Sequence, residues 1–166
     1  FIDNHDENSW AGSIPERMGD AFPVYAVMAY TVPGMPLLYS GQEAGLNKRL
    51  PFFEKDSIDW NLQPQLSAFY RKLNDLKRDC PALKAGVHGG AFRILNHDNE
   101  RHVFAYERKQ GDRQVVVILN LTGEEQRSVL SEEIAGNFTE YFSAEPTSEL
   151  KEFSLPAHGY RVFVKE

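Results

Sequence analysis

Hydrophobic positions recur along this chain with two different periods. Ala21, Val24, Tyr25, Met28 and Ala29 are spaced as on one side of a helix and predict a helix over 20–31. Asp20 or Gly19 is placed to cap it. Pro23 falls in the first turn, where its missing N–H costs little, and Pro33-Gly34 stop it. A stronger stripe of Leu66, Phe69, Tyr70, Leu73, Leu76 and Cys80 predicts a second helix over 64–79, ended by Pro81. Arg71, Lys72, Asp75, Lys77 and Arg78 take its other face, the last two near the end, where cations suit the helix dipole. Between the helices, Met35-Pro36-Leu37-Leu38-Tyr39 is a short apolar run bounded by turn residues. It predicts a strand buried on both faces, and Phe1-Ile2 predicts the end of another. A helix followed by such a strand is the alternation of a parallel α/β unit.

From about residue 86 the period changes. The stretches 91–95, 102–108, 114–120, 126–130, 139–142, 151–155 and 160–164 predict short strands separated by polar turns, such as Asn96-His97-Asp98-Asn99-Glu100 and Gln110-Gly111-Asp112. Strands at this spacing argue for an antiparallel β-sandwich. Val115-Val116-Val117-Ile118-Leu119 has no polar alternation and predicts a strand covered on both sides. The fold class is therefore α+β. The boundary falls near residue 85, with an α/β region over 1–85 and a sandwich over 86–166.

Composition sets limits on this picture. With 42% hydrophobic and 12% aromatic residues, the chain has material for a core and is not disordered. The net charge of −6 and the lack of a dense Lys/Arg cluster argue against a nucleic-acid partner. An acidic balance is compatible with a neutral substrate. A single cysteine, Cys80, excludes an internal disulfide, and no Cys/His spacing suggests a structural zinc site. No apolar run approaches the ~20 residues that span a bilayer, so no membrane partner is expected.

Two polar clusters directly follow the apolar runs of the first half. Asp3-Asn4-His5-Asp6-Glu7-Asn8 comes after Phe1-Ile2, and Ser40-Gly41-Gln42-Glu43-Ala44-Gly45 comes after Leu38-Tyr39. In parallel α/β sheets and barrels, chemistry gathers at the carboxyl ends of strands. A carboxylate beside an imidazole there can hold sugar hydroxyls by charge-assisted hydrogen bonds. Each cluster taken alone reads first as a solvated loop with capping residues.

The order of the motifs carries a resemblance. Phe1-Ile2-Asp3-Asn4-His5-Asp6 resembles the fourth conserved region of the α-amylase family, glycoside hydrolase family 13. Pro33 to Gly45 is similar to that family's eighth barrel strand and loop. The helix ending in Cys80-Pro81-Ala82-Leu83 resembles its last barrel helix. Phe104-Ala105-Tyr106-Glu107-Arg108 and Val117-Ile118-Leu119-Asn120-Leu121 resemble its carboxy-terminal β-domain. The resemblance implies the last β/α units of a (β/α)8 barrel over 1–85, followed by an antiparallel β-sandwich over 86–166. It implies that His5 and Asn4 bind substrate, and that Asp6 is the family's third carboxylate, stabilising the transition state. It implies a supporting role for Glu43 and assigns none to Gln42, which departs from the Asp common there.

A retaining glycosidase also needs a carboxylate nucleophile and a carboxylic acid about 5–5.5 Å apart. In the family both precede the Asn-His-Asp motif, and the Gly-x-Arg-x-Asp pattern of the nucleophile occurs nowhere in this sequence. The chain therefore reads as a carboxy-terminal fragment, inactive alone, of an enzyme acting on α-glucosidic bonds of starch-like glucans or maltooligosaccharides. The competing readings are a non-catalytic carbohydrate-binding or structural module, and a silent amylase-like partner subunit. No cofactor is expected in this chain. The resemblance implies that the parent's calcium, where the family has it, is held mainly by other segments. Trp10 and Trp60 are candidates for stacking on sugars, Phe52-Phe53 for lining outer subsites, and His88, His97, His102 and His158 read as surface residues. An incomplete barrel exposes surface that self-association would cover.

Overall fold

The computed structural model describes residues 1–165. A π-helical turn, Glu7–Ala11, leads into α1 (Ile14–Met18) and, after a 3-10 turn over Gly19–Ala21, α2 (Phe22–Thr31). The long helix α3 spans Pro64–Asp79. Six strands follow: β1 (Ala91–Ile94), β2 (Val103–Gln110), β3 (Arg113–Asn120), β4 (Gln126–Glu140), β5 (Pro146–Leu155) and β6 (Tyr160–Lys165).

The strands form one antiparallel sheet in the order β1-β2-β3-β6-β4-β5. The sequence predicts separate strands over 126–130 and 139–142, but β4 runs through both. Register shifts between Val129 and Ile134, and between Ala135 and Phe138, bend it on the way. It meets β6 only where Thr139 and Glu140 face Val164 and Phe163. The β4–β5 hairpin is thereby free to fold across β2 and β3. At the far side a lone bridge joins His97 to Leu130. One sheet folded on itself thus makes the sandwich.

The central strand β3 explains its own composition. Val116 and Ile118 face the hairpin and pack with Leu130, Phe138, Leu150, Leu155 and Phe163. Val115, Val117 and Leu119 face the other way, against Val24, Val27, Tyr30, Tyr70, Leu73 and Leu76 of the helices. All five apolar residues from Val115 to Leu119 are buried. The amphipathic face of α3 fits the second core, with Tyr70, Leu73 and Leu76 buried. Lys72 Nζ donates to the Phe142 carbonyl, and the Tyr141 hydroxyl donates to the Lys72 carbonyl, so α3 is tied directly to the sheet.

The barrel strands expected in the first half do not form. Among the described residues, none before Ala91 lies in a strand. The run Met35–Tyr39 is unpaired, and Met35 is 84% exposed. A strand buried on both faces needs neighbours to take its N–H and C=O groups, and the described chain offers none beside this run. Of the histidines read as surface residues, one proves buried and another half-buried. His97 is buried, with its Nδ1 2.9 Å from the Ser128 hydroxyl. His158 has a positive φ of 53° and a buried Nδ1 without a partner among the described residues.

Helices and sheet are clamped by Arg108 of β2, one of the largest wholly buried side chains. Its guanidinium donates to the carbonyls of Gly90 (3.1 Å), Lys84 (3.1 Å) and Thr31 (3.4 Å), the last at the carboxyl end of α2. Lys77 adds a second cation nearby, donating to the Gly34 carbonyl at 2.8 Å. Burial, with the charge of Arg108 beside it, lowers Lys77 to about 8. An unfolded lysine titrates near ~10.4. Between those values the unfolded chain binds more protons, so stability rises with pH across that window; below it both states are protonated and the contribution is constant. Melting curves of the native chain and of Lys77→Met from pH 7 to 10 test this. The native chain is expected to gain on the variant above pH 8, and a difference that does not change with pH contradicts the assignment.

Candidate functional site

The first polar cluster is not a loose loop. Asn4 Oδ1 accepts the backbone N–H of Glu7 at 2.8 Å, so Asn4 acts as a cap and the chain turns helical immediately. Over Glu7–Ala11 the turn widens to π geometry and closes on Gly12, whose N–H donates to the Glu7 carbonyl and whose φ is 141°. Such π turns are uncommon and recur at functional sites. Here the turn leaves His5, Asp6 and Trp10 on the surface. His5 Nε2 lies 3.5 Å from Asp6 Oδ2, and the two side chains are 62% and 61% exposed.

Below the turn lies a buried anchor. Arg17 of α1 donates to Asp3 Oδ1 at 2.6 Å and to the carbonyls of Gly12 and Ile2. Burial pushes the Asp3 carboxyl above its ordinary range, and Arg17 pulls it back only in part. The helix holding Arg17 starts at Ser13, whose backbone N–H donates to Glu16 Oε2. The Ser13-Ile14-Pro15-Glu16 spacing is a capping signature that sequence reasoning missed.

The second cluster sits beside the first. Gly41 and Gly45 both have left-handed φ, and a Cβ on Gly45 would lie 2.6 Å from the Gln63 side chain, so that turn requires glycine. Gln42 is buried and tied inward, its amide donating to the Tyr70 hydroxyl at 2.6 Å while its oxygen accepts from Tyr39 N–H. Asp3, Asn8, Ser40, Gln42, Gly45 and Tyr70 share the wall of a cavity of about 40 Å³. Glu43 stands at the same turn with a buried Oε2 that has no hydrogen-bond partner among the described residues.

The segment that follows is stitched back onto the π turn. Asn8 Nδ2 donates to the Lys48 carbonyl, and Leu50 N–H donates to Asn8 Oδ1 at 2.7 Å. Ser9 donates to the Leu50 carbonyl and Ser13 to Asn47 Oδ1, each at 2.7 Å. These bonds bring Phe52 against both His5 and Trp10, with ring centroids 5.4 Å apart in each case. Trp60 stands apart, in a shallow groove with Asn61, Pro64 and Arg71. Among the described residues, no three His, Cys, Asp or Glu side chains come together to hold a metal. Among the described residues, no helix is long and apolar enough to cross a membrane.

Comparison with known proteins points the same way. A family model for the maltogenic amylase C-terminal domain matches residues 92–162. The α-amylase MalA of Haloarcula japonica is 31% identical over 127 residues, a match covering 75% of this chain and 18% of that protein. The 1,4-α-glucan branching enzyme GlgB of Salinibacter ruber is 31% identical over 125 residues, covering 71% of this chain and 20% of its own length. The chain thus spans about a fifth of these curated relatives. The crystal structure of the maltogenic α-amylase AmyB of Thermotoga neapolitana superposes with a TM-score of 0.81 at 18% identity, covering 99% of this chain and 40% of that one. The α-amylase of Geobacillus thermoleovorans, complexed with acarbose, superposes with a TM-score of 0.68 at 18% identity, covering 87% and 32%. At that identity the structural likeness speaks for the fold. The order of the segments, the folded sheet and these matches together place the chain in the α-amylase family, glycoside hydrolase family 13, as a carboxy-terminal part that carries a maltogenic-amylase-type β-domain.

Proposed function

We propose that this chain supplies sugar contacts to an enzyme that cleaves or transfers α-glucosidic bonds in starch-like glucans by retention, and that the bond-breaking carboxylates lie on other chain. His5 and Asp6 bind hydroxyls of the sugar at the reacting position. Contacts of that kind lower the barrier when they strengthen as the ring flattens. Glu43 supports the site from the neighbouring turn, and Asn4 holds the backbone that presents His5. The observation that carries this reading is a surface imidazole–carboxylate pair on a turn fastened by Asn8 and Ser9 to the 47–50 segment. Both side chains are exposed, and His5 also lies against the Phe52 ring. The activities of the relatives, amylases and glucan branching enzymes, support an α-glucan, as do related structures with acarbose or maltose bound.

Affinity electrophoresis through a glycogen gel tests the site. The native chain should be retarded, and His5→Ala or Asp6→Asn should weaken binding about tenfold, the scale of one lost charge-assisted hydrogen bond. Both variants should melt with the native chain, because neither side chain is buried. Incubation of the pure chain with maltoheptaose should release no product. Retardation that survives both substitutions favours a non-catalytic binding module instead, and sustained turnover overturns the assignment of the bond-breaking groups to other chain.

A further inference from the structure

We propose that Arg17 is a positioning residue for the sugar site: it ties the chain that enters the His5–Asp6 turn to the chain that leaves it, and so sets sugar affinity without touching the sugar. The inference rests on the reading of His5 and Asp6 just given and names the residue that governs that site from beneath. Its observation is a single guanidinium bonded to both ends of the turn. On the entering side, Nη2 donates to the Ile2 carbonyl at 3.0 Å and to Asp3 Oδ1 at 2.6 Å. On the leaving side, Nε donates to the Gly12 carbonyl at 2.8 Å. Inside the turn, Nη1 lies 3.9 Å from Glu7 Oε2. Arg17 and Asp3 are enclosed, with side chains 17% and 4% exposed, whereas His5 and Asp6 are open to a ligand. Among the described residues the guanidinium makes no bond to α2, α3 or the sheet. Its work is confined to residues 2–12.

The turn needs such a clasp. A helix this short does not recover its nucleation cost, and π geometry is rare even within longer helices. Glu7–Ala11 therefore holds its shape through contacts made elsewhere. Asn8 and Ser9 fasten the middle of the turn to the Lys48 and Leu50 backbone. Those bonds leave the ends to be fixed, and His5 and Asp6 lie between the upstream end and that middle. Arg17 can fix the ends because its own base is firm. The Ser13–Glu16 capping box starts α1, and Ile14 is buried beneath it. A guanidinium is a planar fork, so bonds from Nε and Nη2 hold the Gly12 and Asp3 oxygens at a set spacing; an ammonium is a point charge without that geometry. A site whose competent form is only partly populated binds more weakly by that fraction. Loss of the clasp that drops the competent turn to about a tenth lowers affinity about tenfold.

Calorimetry with maltoheptaose tests the assignment, using the native chain, Arg17→Met, Arg17→Lys, His5→Ala and the double variant Arg17→Met/His5→Ala. Arg17→Met should cut affinity about tenfold, and Arg17→Lys about threefold, because it keeps the charge but not the fork. In a Trp60→Phe background the remaining tryptophan emission is that of Trp10. Arg17→Met should lower its anisotropy before any sugar is added, the sign of a loosened turn. The deciding measurement is coupling. A residue that acts through His5 loses most of its effect once His5 is gone, so adding Arg17→Met to His5→Ala should cost less than about threefold further. Where Arg17→Met does not fold, Arg17→Lys carries the same comparison, and its loss should vanish in the His5→Ala background. Affinity unchanged in the Arg17 variants, or an equal loss with and without His5, overturns the positioning role; binding still weakened by His5→Ala then leaves the sugar-site reading standing. Binding that ignores His5→Ala, or no binding by the native chain, overturns both.

Discussion

Replacing Arg108 by methionine is expected to cost about 3 kcal/mol of stability, enough to lower the melting temperature by roughly 6–12 °C in a domain of this size. The reason lies in what the guanidinium leaves behind. It is buried and satisfies carbonyls at Gly90, Lys84 and Thr31, which belong to the start of the sheet, the connecting segment and the end of α2. An apolar side chain of similar length keeps the packing but removes all three bonds; the Thr31 bond is wholly buried and the other two partly so, and a carbonyl stranded away from water costs about 1–3 kcal/mol before relaxation. Among the described residues no carboxylate faces the cation, so its own burial is a standing cost that moderates the loss; burial indeed lowers its pKa. Arg108→Lys should fall between the two, since an ammonium cannot span all three oxygens. Hydrogen exchange should quicken in α2 more than in β3. A shift of less than 2 °C in Arg108→Met would mean that the clamp does not join the layers.

A loss of comparable size is expected for Leu73→Ala, about 3–4 kcal/mol in urea unfolding. Leu73 is wholly buried in the core that also contains Val115, Val117 and Leu119 of β3 and Val162 of β6. Truncation removes contacts to both layers, and the surrounding β-strand backbone cannot collapse into the space. Because that core spans helices and sheet, unfolding should stay a single transition with an unchanged urea slope. Val87→Ala, at a residue 94% exposed, should change stability by no more than about 0.5 kcal/mol. Two separate transitions, with Leu73→Ala moving only one, would show the helices and the sheet to be independent.

Sequence and structure agree best where periodicity is a property of one element. The apolar stripe from Leu66 to Leu76, with prolines at 64 and 81, marks the observed bounds of α3. The unbroken run Val115–Leu119 marks a strand covered on both faces. Agreement fails where the outcome depends on neighbours. Met35–Tyr39 has the composition of a buried parallel strand, yet pairing needs strands the described chain does not place beside it. The length of β4 was hidden because its bulges break the alternation that defines a strand in sequence. Of the candidate site, His5, Asp6 and Glu43 were visible as residues, but their mutual placement was not. It depends on Asn8 and Ser9 reaching backbone some 40 positions away, and no local pattern announces a side chain bonded to distant carbonyls. The Ser13–Glu16 cap was readable and would have located α1.

The account stands on the proposal that the turn carrying His5 and Asp6, already assembled in this chain, binds sugar. Backbone amide shifts of the labelled chain, followed by NMR as maltoheptaose is added, test it directly. Perturbation should concentrate in residues 4–10 and 47–53, leaving the β4–β5 hairpin unmoved. Saturable shifts confined to the hairpin, with the amides of His5, Asp6 and Trp10 unchanged, would contradict it.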